Sequence, residues 1–354
     1  MIRMQGITIG DRAVGPGEPT YVIAEAGSNH NGDLATAKQL IDVAVDAAAD
    51  AVKFQTFRAA ELYVEDSGTV EYLDDPRPIY EIIEAMEMPY EWIPELHAYC
   101  TERAIDFLST PFDPRSAAEL EPYVPAWKVA SYAASHLPFL RELAATGKPI
   151  IMSTGAHTVE EIAESVAALE EAAVAELVLL HCVAAYPTPL EAINVRTMQL
   201  LAERFDVPVG LSDHTTDPVT APTAAAALGA AVIEKHITLD RTMDGPDHQF
   251  ALEPDELTAM VAQIRSTATA VGRTVDDILP EESELHEIAR RSIYARSQIA
   301  RGEAITPENT KIVRSGGKQH GLAPKVFERI LGARAAQDID ADEPITSDVL
   351  ERGL

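Results

Sequence analysis

Two lysines, two histidines and a glutamate lie in β-rich runs of this sequence, at places where a plain core would hold apolar side chains. Lys53 and Gln55, in Ala51-Val-Lys-Phe-Gln-Thr-Phe, are two apart on a strand and so share one face. Lys128, in Trp127-Lys-Val-Ala-Ser, repeats the situation in a later run. A buried lysine without a partner is costly, so each either pairs with a carboxylate or awaits an anionic ligand. Two such positions in a chain with only 8 lysines favour the anion site. The hydroxyls of Thr110, Ser131 and Ser153 have the chemistry to complete a phosphate or carboxylate cradle. His214 and His236 end the runs Gly210-Leu-Ser-Asp-His and Ile233-Glu-Lys-His. One strand-end histidine is ordinarily structural, and two do not make a closed zinc site, which wants four ligands. Two with the remaining positions left to water and substrate oxygens suit an open Mn²⁺ or Mg²⁺ site. Glu25 leads into a polar loop, Ala26-Gly-Ser-Asn-His-Asn-Gly, that lacks the GxGxxG phosphate turn. The glycine-rich Ser315-Gly-Gly-Lys-Gln-His-Gly has no Walker A arrangement and reads as a flexible turn.

These residues need a scaffold that brings strand ends together. Eight β-rich runs, each followed by an Ala-rich helical pattern, precede residue 270: Tyr21–Gly27, Ala51–Phe57, Ile105–Phe112, Trp127–Ser131, Pro149–Gly155, Glu176–Cys182, Val207–His214 and Ala230–Ile237. Helices are expected over Leu34–Ala48, Val159–Ala172 and Glu256–Ala270, and another from Asp217, with Asp217 as its cap and Pro218 at its first position. Eight βα units close into a (β/α)₈ barrel, whose active face is built at the C-terminal strand ends. Glu25, Lys53, Gln55, Thr110, Asp113, Lys128, Ser131, Ser153, Thr154, His181, Asp213, His214, Glu234 and His236 all fall there. The expected division is a barrel over 1–275, a linker over 276–289 and a small β-rich domain over 290–354. That last part holds two similar phrases, Ile299-Ala-Arg-Gly-Glu-Ala-Ile-Thr and Ile339-Asp-Ala-Asp-Glu-Pro-Ile-Thr.

Composition narrows the partners. The 354 residues carry 28 Lys+Arg against 57 Asp+Glu, a formal charge of −29. Such a chain repels a phosphate backbone or an anionic leaflet, so neither nucleic acid nor a membrane is an expected partner. The acidic, lysine-poor composition resembles the solvated surface of a halophile's cytosolic protein. Cys100 and Cys182 cannot build a disulfide framework, which fits a reducing cytoplasm. Met1–Gly10 shows no apolar signal region, and no run reaches the length of a membrane span.

Nine ordered motifs carry a family resemblance: Ile23-Ala-Glu-Ala-Gly-Ser-Asn-His-Asn-Gly, Val52-Lys-Phe-Gln-Thr-Phe, Ser109-Thr-Pro-Phe-Asp, Trp127-Lys-Val-Ala-Ser, Met152-Ser-Thr-Gly, His181-Cys-Val-Ala-Ala-Tyr-Pro-Thr-Pro, Gly210-Leu-Ser-Asp-His-Thr, Glu234-Lys-His and Gly245-Pro-Asp-His. Together they resemble the sialic acid synthase (N-acetylneuraminate synthase) family, whose members are (β/α)₈ barrels followed by an antifreeze-like, or SAF, domain. Arg290-Arg-Ser-Ile-Tyr-Ala with Ile312-Val-Arg-Ser looks like that second domain. The resemblance implies condensation of phosphoenolpyruvate with the open-chain aldehyde of an N-acetylated hexose, giving a nine-carbon 2-keto-3-deoxy acid and phosphate. It implies that Lys53, Thr110, Lys128, Ser131 and Ser153 hold phosphoenolpyruvate and that His214 and His236 bind Mn²⁺ or another divalent ion. Gln55, Tyr186 and Asp247 would contact sugar hydroxyls. Glu25 would orient or ligate the water that adds at C2, or contact the sugar. Arg314 would reach the N-acetyl group from the neighbouring subunit of a domain-exchanged homodimer. Two positions depart from the pattern: Ala133 stands where many members carry a glutamate, and Ala184 where a polar amide is frequent. Both bear on the identity of the sugar. The alternatives are another phosphoenolpyruvate-condensing barrel of the 3-deoxy-heptulosonate type and a non-catalytic carbohydrate-binding scaffold.

Overall fold

The computed structural model describes residues 6–70 and 75–351; the outermost positions of the expected domains, 1–5 and 352–354, lie outside the described residues. The chain divides into two compact units, Met1–Gly272 and Arg273–Leu354. The division falls at the C-cap of the last barrel helix, where Gly272 takes φ +53°, slightly before the expected boundary. The stretch expected as a linker therefore belongs to the second unit and holds a helix, Ser283–Ile288.

In the first unit eight parallel strands form one sheet: β1 Tyr21–Gly27, β2 Ala51–Thr56, β3 Asp106–Pro111, β4 Trp127–Val129, β5 Ile150–Ser153, β6 Leu177–Cys182, β7 Val209–Asp213 and β8 Val232–His236. Each matches an expected run, shortened by at most two residues at either end. The hydrogen-bonded order is β3-β2-β1-β8-β7-β6-β5-β4. Its two ends, β3 and β4, lie side by side, which brings the sheet round into a (β/α)₈ barrel. The helices that follow the strands are α1 Leu34–Asp46, α2 Ile93–Glu102, α3 Pro114–Leu120, α4 Leu137–Ala145, α5 Val159–Glu171, α6 Thr197–Phe205, α7 Thr220–Ala227 and α8 Pro254–Val271. Local chemistry sets several of their starts. Asp33 and Asp113 accept the backbone N–H three residues on, and Thr158 with Glu161 closes a capping box. Helix α7 begins at Thr220, later than expected. Asp217 still accepts from the N–H groups of Val219 and Thr220, but from a turn outside the helix, and Pro218 precedes it.

Because side chains alternate across a strand, one barrel sheet makes two cores. Outward residues such as Val22, Val52, Phe107, Trp127, Met152, Leu179 and Leu211 pack under the helices. Inward residues at the N-terminal end, Tyr21, Ile23, Ala51, Leu108, Ile151, Val178, Leu180 and Val232, join Ile7, Ile9 and Val14 of an N-terminal hairpin, Ile7–Ile9 paired with Arg12–Val14. The hairpin closes the barrel floor. Gly210 is required there, since a Cβ on it would sit 2.1 Å from the Val232 carbonyl oxygen.

The second unit pairs β9 Arg291–Ala295 antiparallel with β10 Thr310–Arg314. The two repeated phrases meet each other: Ile299 and Ile339 exchange both backbone hydrogen bonds at 2.9 Å. Each phrase also contributes two buried isoleucines, Ile299 with Ile305 and Ile339 with Ile345, to one apolar cluster. That shared core lets a small β-rich unit bury enough surface to hold together.

Candidate active site

Following the inward face upward along each strand, apolar residues give way to ionic ones. On β1 the series is Tyr21, Ile23, Glu25; on β2 it is Ala51, Lys53, Gln55; on β8 it is Val232, Glu234, His236. Burial of Glu25, Lys53 and Glu234, together with Lys128 of β4, forces these four charged groups to pair. Lys53 Nζ lies 2.6 Å from Glu25 Oε2 and 3.8 Å from Glu234 Oε2, and Lys128 Nζ lies 3.6 Å from Glu234 Oε1. Lys53 also donates to Thr110 Oγ1 at 3.0 Å and Lys128 to Ser153 Oγ at 2.8 Å. Gln55 Nε2 donates to Glu25 Oε1 at 2.9 Å, and Ser131 Oγ accepts from the Gly155 N–H at 2.9 Å. Of the two readings open for the interior lysines, the structure shows the ion pairs, with the expected hydroxyls already around the ammonium groups. Glu25 Oε2 and Glu234 Oε2 have no hydrogen-bond partner beyond their ion-pair contacts.

This packing perturbs the titrating groups. Burial pushes the Glu25 carboxyl up to about 7, against the opposing pull of Lys53. Burial acts on Glu234 in the same direction, but Lys128 and Lys53 outweigh it and hold its carboxyl below the usual range. One carboxyl is thus poised to exchange a proton near neutrality beside another that stays ionised.

His214 and His236 face each other with ring centroids 5.5 Å apart. Val183 O is 3.0 Å from His214 Nδ1 and can only accept, which puts a proton on Nδ1; burial works to lower the pKa of this imidazole but Cys182 outweighs it and raises it, and in the neutral form Nε2 carries the lone pair. His236 Nδ1 is buried without a hydrogen-bond partner, 3.8 Å from Asp247 Oδ2. Burial, then the nearby cations, hold this imidazole well below its usual pKa, in the neutral form that ligates. Among the described residues no third His, Cys, Asp or Glu joins them in a metal-binding group. The pair fits an open site whose other positions fall to water and substrate, and does not fit a closed structural one.

At the rim, Tyr186 stacks 4.3 Å from His214, and burial drives its phenol strongly upward in pKa. Burial raises Asp247 to about 6, opposed by His214 and Lys53. Eleven of the twelve expected site residues thus belong to the barrel unit, all on or just beyond its C-terminal strand ends; Arg314 belongs to the second unit, exposed at the last position of β10.

Several strand-end residues turn out to face away from the barrel axis. His181 points outward and its Nε2 bonds the Ile193 carbonyl at 2.6 Å; Asp213 pairs with Lys235 at 2.6 Å on the same outer side; Asp113 caps α3. Sequence reasoning missed the role of Glu234. Its signal was the two-residue spacing to His236, which puts both on one face.

The barrel with its chemistry gathered at the strand ends defines the class: a (β/α)₈ enzyme with a polar, cation-lined well. The chain belongs to the NeuB family, whose model matches residues 40–276, and a SAF domain matches residues 290–351. It is similar to the spore coat polysaccharide biosynthesis protein SpsE of Bacillus subtilis, 39% identical over 98% of this chain and 97% of that one. The crystal structure of SpsE superposes with a TM-score of 0.67 at 38% identity, covering 98% and 99% of the two chains. The N,N'-diacetyllegionaminic acid synthase of Legionella pneumophila is 36% identical over 91% of this chain and 92% of its own length. A Leptospira borgpetersenii sialic acid synthetase, crystallised with citrate, has a TM-score of 0.73 at 31% identity, covering 81% of this chain and 96% of that one.

Proposed function

We propose that the chain condenses phosphoenolpyruvate with the open-chain aldehyde of an N-acetylated hexose, N-acetylmannosamine or a related aldose, to give a nine-carbon 2-keto-3-deoxy sugar acid and inorganic phosphate. The observation that carries this is the pair of buried lysines, each already holding a hydroxyl, below a rim of sugar-type contacts, in a chain of the NeuB family. Lys53, Lys128, Thr110, Ser131 and Ser153 bind the anion. Gln55, Tyr186 and Asp247 orient the aldose above it. His214 and His236 are the residues that would hold a divalent cation, Mn²⁺ or another such as Mg²⁺, which when bound supplies Lewis-acid polarisation of the aldehyde oxygen.

C3 of phosphoenolpyruvate attacks the aldehyde carbon, leaving an alkoxide there, and water adds at C2. Glu25, with its carboxyl near neutrality, takes one proton of that water, which returns to the alkoxide to give the new hydroxyl. The tetrahedral hemiketal phosphate collapses by C–O cleavage, its hydroxyl proton passing to the departing phosphate as the keto group forms, so the bridging oxygen leaves with phosphate, and the lysines neutralise it as it departs. Arg314 meets the N-acetyl group across a domain-exchanged homodimer. Ala133 and Ala184 leave the sugar's identity to other groups, among them Tyr132, which is 61% exposed and whose hydroxyl interacts with that of Tyr186. Both cysteines are free and buried, which supports the reading of a reducing, cytoplasmic setting; no helix among the described residues is long and apolar enough to cross a membrane.

The test is phosphate release from phosphoenolpyruvate labelled with ¹⁸O at the bridge, with a panel of N-acetylated and phosphorylated aldoses. Turnover with an N-acetylated hexose and label in the phosphate is expected. Preference for a phosphorylated aldose without an amide, label retained in the acid, or no turnover at all would each sink the reading.

A further inference from the structure

We propose that Asn31 and His248 are positioning residues: they clasp the turn Asp244–His248 at both ends and so fix the Asp247 carboxyl at the barrel mouth. The inference rests on the reading of Asp247 as a sugar contact. Nothing on Asp247 itself fixes its carboxylate, which makes no hydrogen bond among the described residues; its near neighbour, His236 Nδ1, is 3.8 Å away. Its place depends on the turn that carries it.

That turn is gripped by one amide. Asn31, in the loop after β1, donates from Nδ2 to the Asp244 carbonyl at 2.9 Å, and its Oδ1 lies 3.1 Å from His248 Nε2. Since a carbonyl can only accept, the first bond sets the amide's orientation, and the second then puts the His248 proton on Nε2. The other ring nitrogen, Nδ1, lies 2.7 Å from the Thr238 hydroxyl just beyond the end of β8; with the ring proton on Nε2 it accepts from that hydroxyl, which shares its proton with the Asp240 carbonyl at 3.0 Å. His248 is 1% exposed, so leaving either nitrogen unmet would be costly.

The backbone is shaped for the same contact. Gly245 has φ +144°, and a Cβ there would stand 2.8 Å from the His248 ring and 3.3 Å from Asn31 Oδ1. Asn31 itself has φ +50°, in the left-handed region that asparagine tolerates. In Gly245-Pro-Asp-His, the glycine thus makes room for the clasp, the histidine closes it, and the aspartate is what it presents.

The experiment uses the full-length protein with Asn31→Gly, which keeps the backbone conformation and removes both grips. Loss of two hydrogen bonds predicts a KM for the amino sugar raised by about tenfold, with the KM for phosphoenolpyruvate unchanged. In an Asp247→Ala background the same substitution should add nothing, because its whole effect runs through that carboxyl. Amide hydrogen exchange at Ala251, whose N–H is held by the His248 carbonyl at 3.2 Å, should also accelerate about tenfold in the ligand-free protein, and Asn31→Asp, which keeps an acceptor for His248, should fall between. Equal rises in both KM values, an undiminished effect on top of Asp247→Ala, or unchanged exchange would overturn the clasp. If the wild type turns over no aldose, the proposed function fails, and the exchange measurement still judges the clasp on its own.

Discussion

Replacing Glu234 by glutamine removes the one carboxylate shared by both interior lysines without changing its shape. Lys53 keeps Glu25 at 2.6 Å, whereas Lys128 is left with Ser153 and the Val129 carbonyl. At the observed 3.6 Å, an effective dielectric of about 20 makes the lost Lys128 attraction roughly 4–5 kcal/mol. Release of the carboxylate's own desolvation cost offsets part of it, and broken buried pairs in general cost about 3–5 kcal/mol. A ceiling follows from titration, because Lys128 can escape by losing its proton. With an unfolded-state pKa near 10.4, that escape costs about 5 kcal/mol at pH 7 and about 2 kcal/mol at pH 9. Burial already holds this lysine below its usual range, so the folded state binds fewer protons than the unfolded one and the deficit must shrink as pH rises. We expect Glu234→Gln to melt roughly 6–10 °C below wild type at pH 7 and about half as far below at pH 9, at about 2 °C per kcal/mol for a unit of this size. Inorganic phosphate should stabilise the variant more than the wild type, by supplying the missing charge. Adding Lys128→Met should recover much of the loss. Calorimetry at both pH values checks all of this; a variant within about 2 °C of wild type at pH 7, or a deficit that grows with pH, would refute the reasoning.

Two further outcomes are expected. The His214→Ala, His236→Ala double variant should lose metal-dependent turnover while keeping its melting temperature in chelator, and wild-type rates from it after chelation would remove the metal from the mechanism. The melting temperature of the wild type should keep rising with KCl well above 0.15 M: the exposed face of α5 crowds Glu160, Glu161 and Glu164 into its first two turns, and screening shortens from about 8 Å to about 3 Å by 1 M salt. A flat curve would make the acidic surface an ordinary one.

The eight strands were legible because each is a short β-rich run set between Ala-rich helical stretches, and their ends erred by no more than two residues. What the sequence hid was parity. Barrel strands are buried on both faces, so no alternation tells an inward side chain from an outward one. His181 and Asp213 therefore looked like mouth residues, although Ile193 O and Lys235 claim them on the outer side. The role of Glu234 was hidden because its partners, Lys53 and Lys128, come from strands far away in the chain and nothing local announces the pairing. The start of α7 was misplaced because Asp217 caps a turn as readily as a helix. Asn31 and His248 each lie in a quoted motif, but nothing local pairs them, since their bonds join the first βα loop to the last.

With Ile7, Ile9 and Val14 packed into the barrel floor, approach to its interior is left to the C-terminal strand ends. Lys53 and Lys128 sit deep in it, 3% and 2% exposed, while Gln55, Tyr186 and Asp247 lie nearer the opening. On the proposed reaction, a sugar seated in the upper tier would seal the lower one, so the anion would have to enter before the aldose. The sugar acid would then have to leave before phosphate, and free phosphate should compete with phosphoenolpyruvate for the empty protein and leave the binding of the sugar to the loaded one untouched.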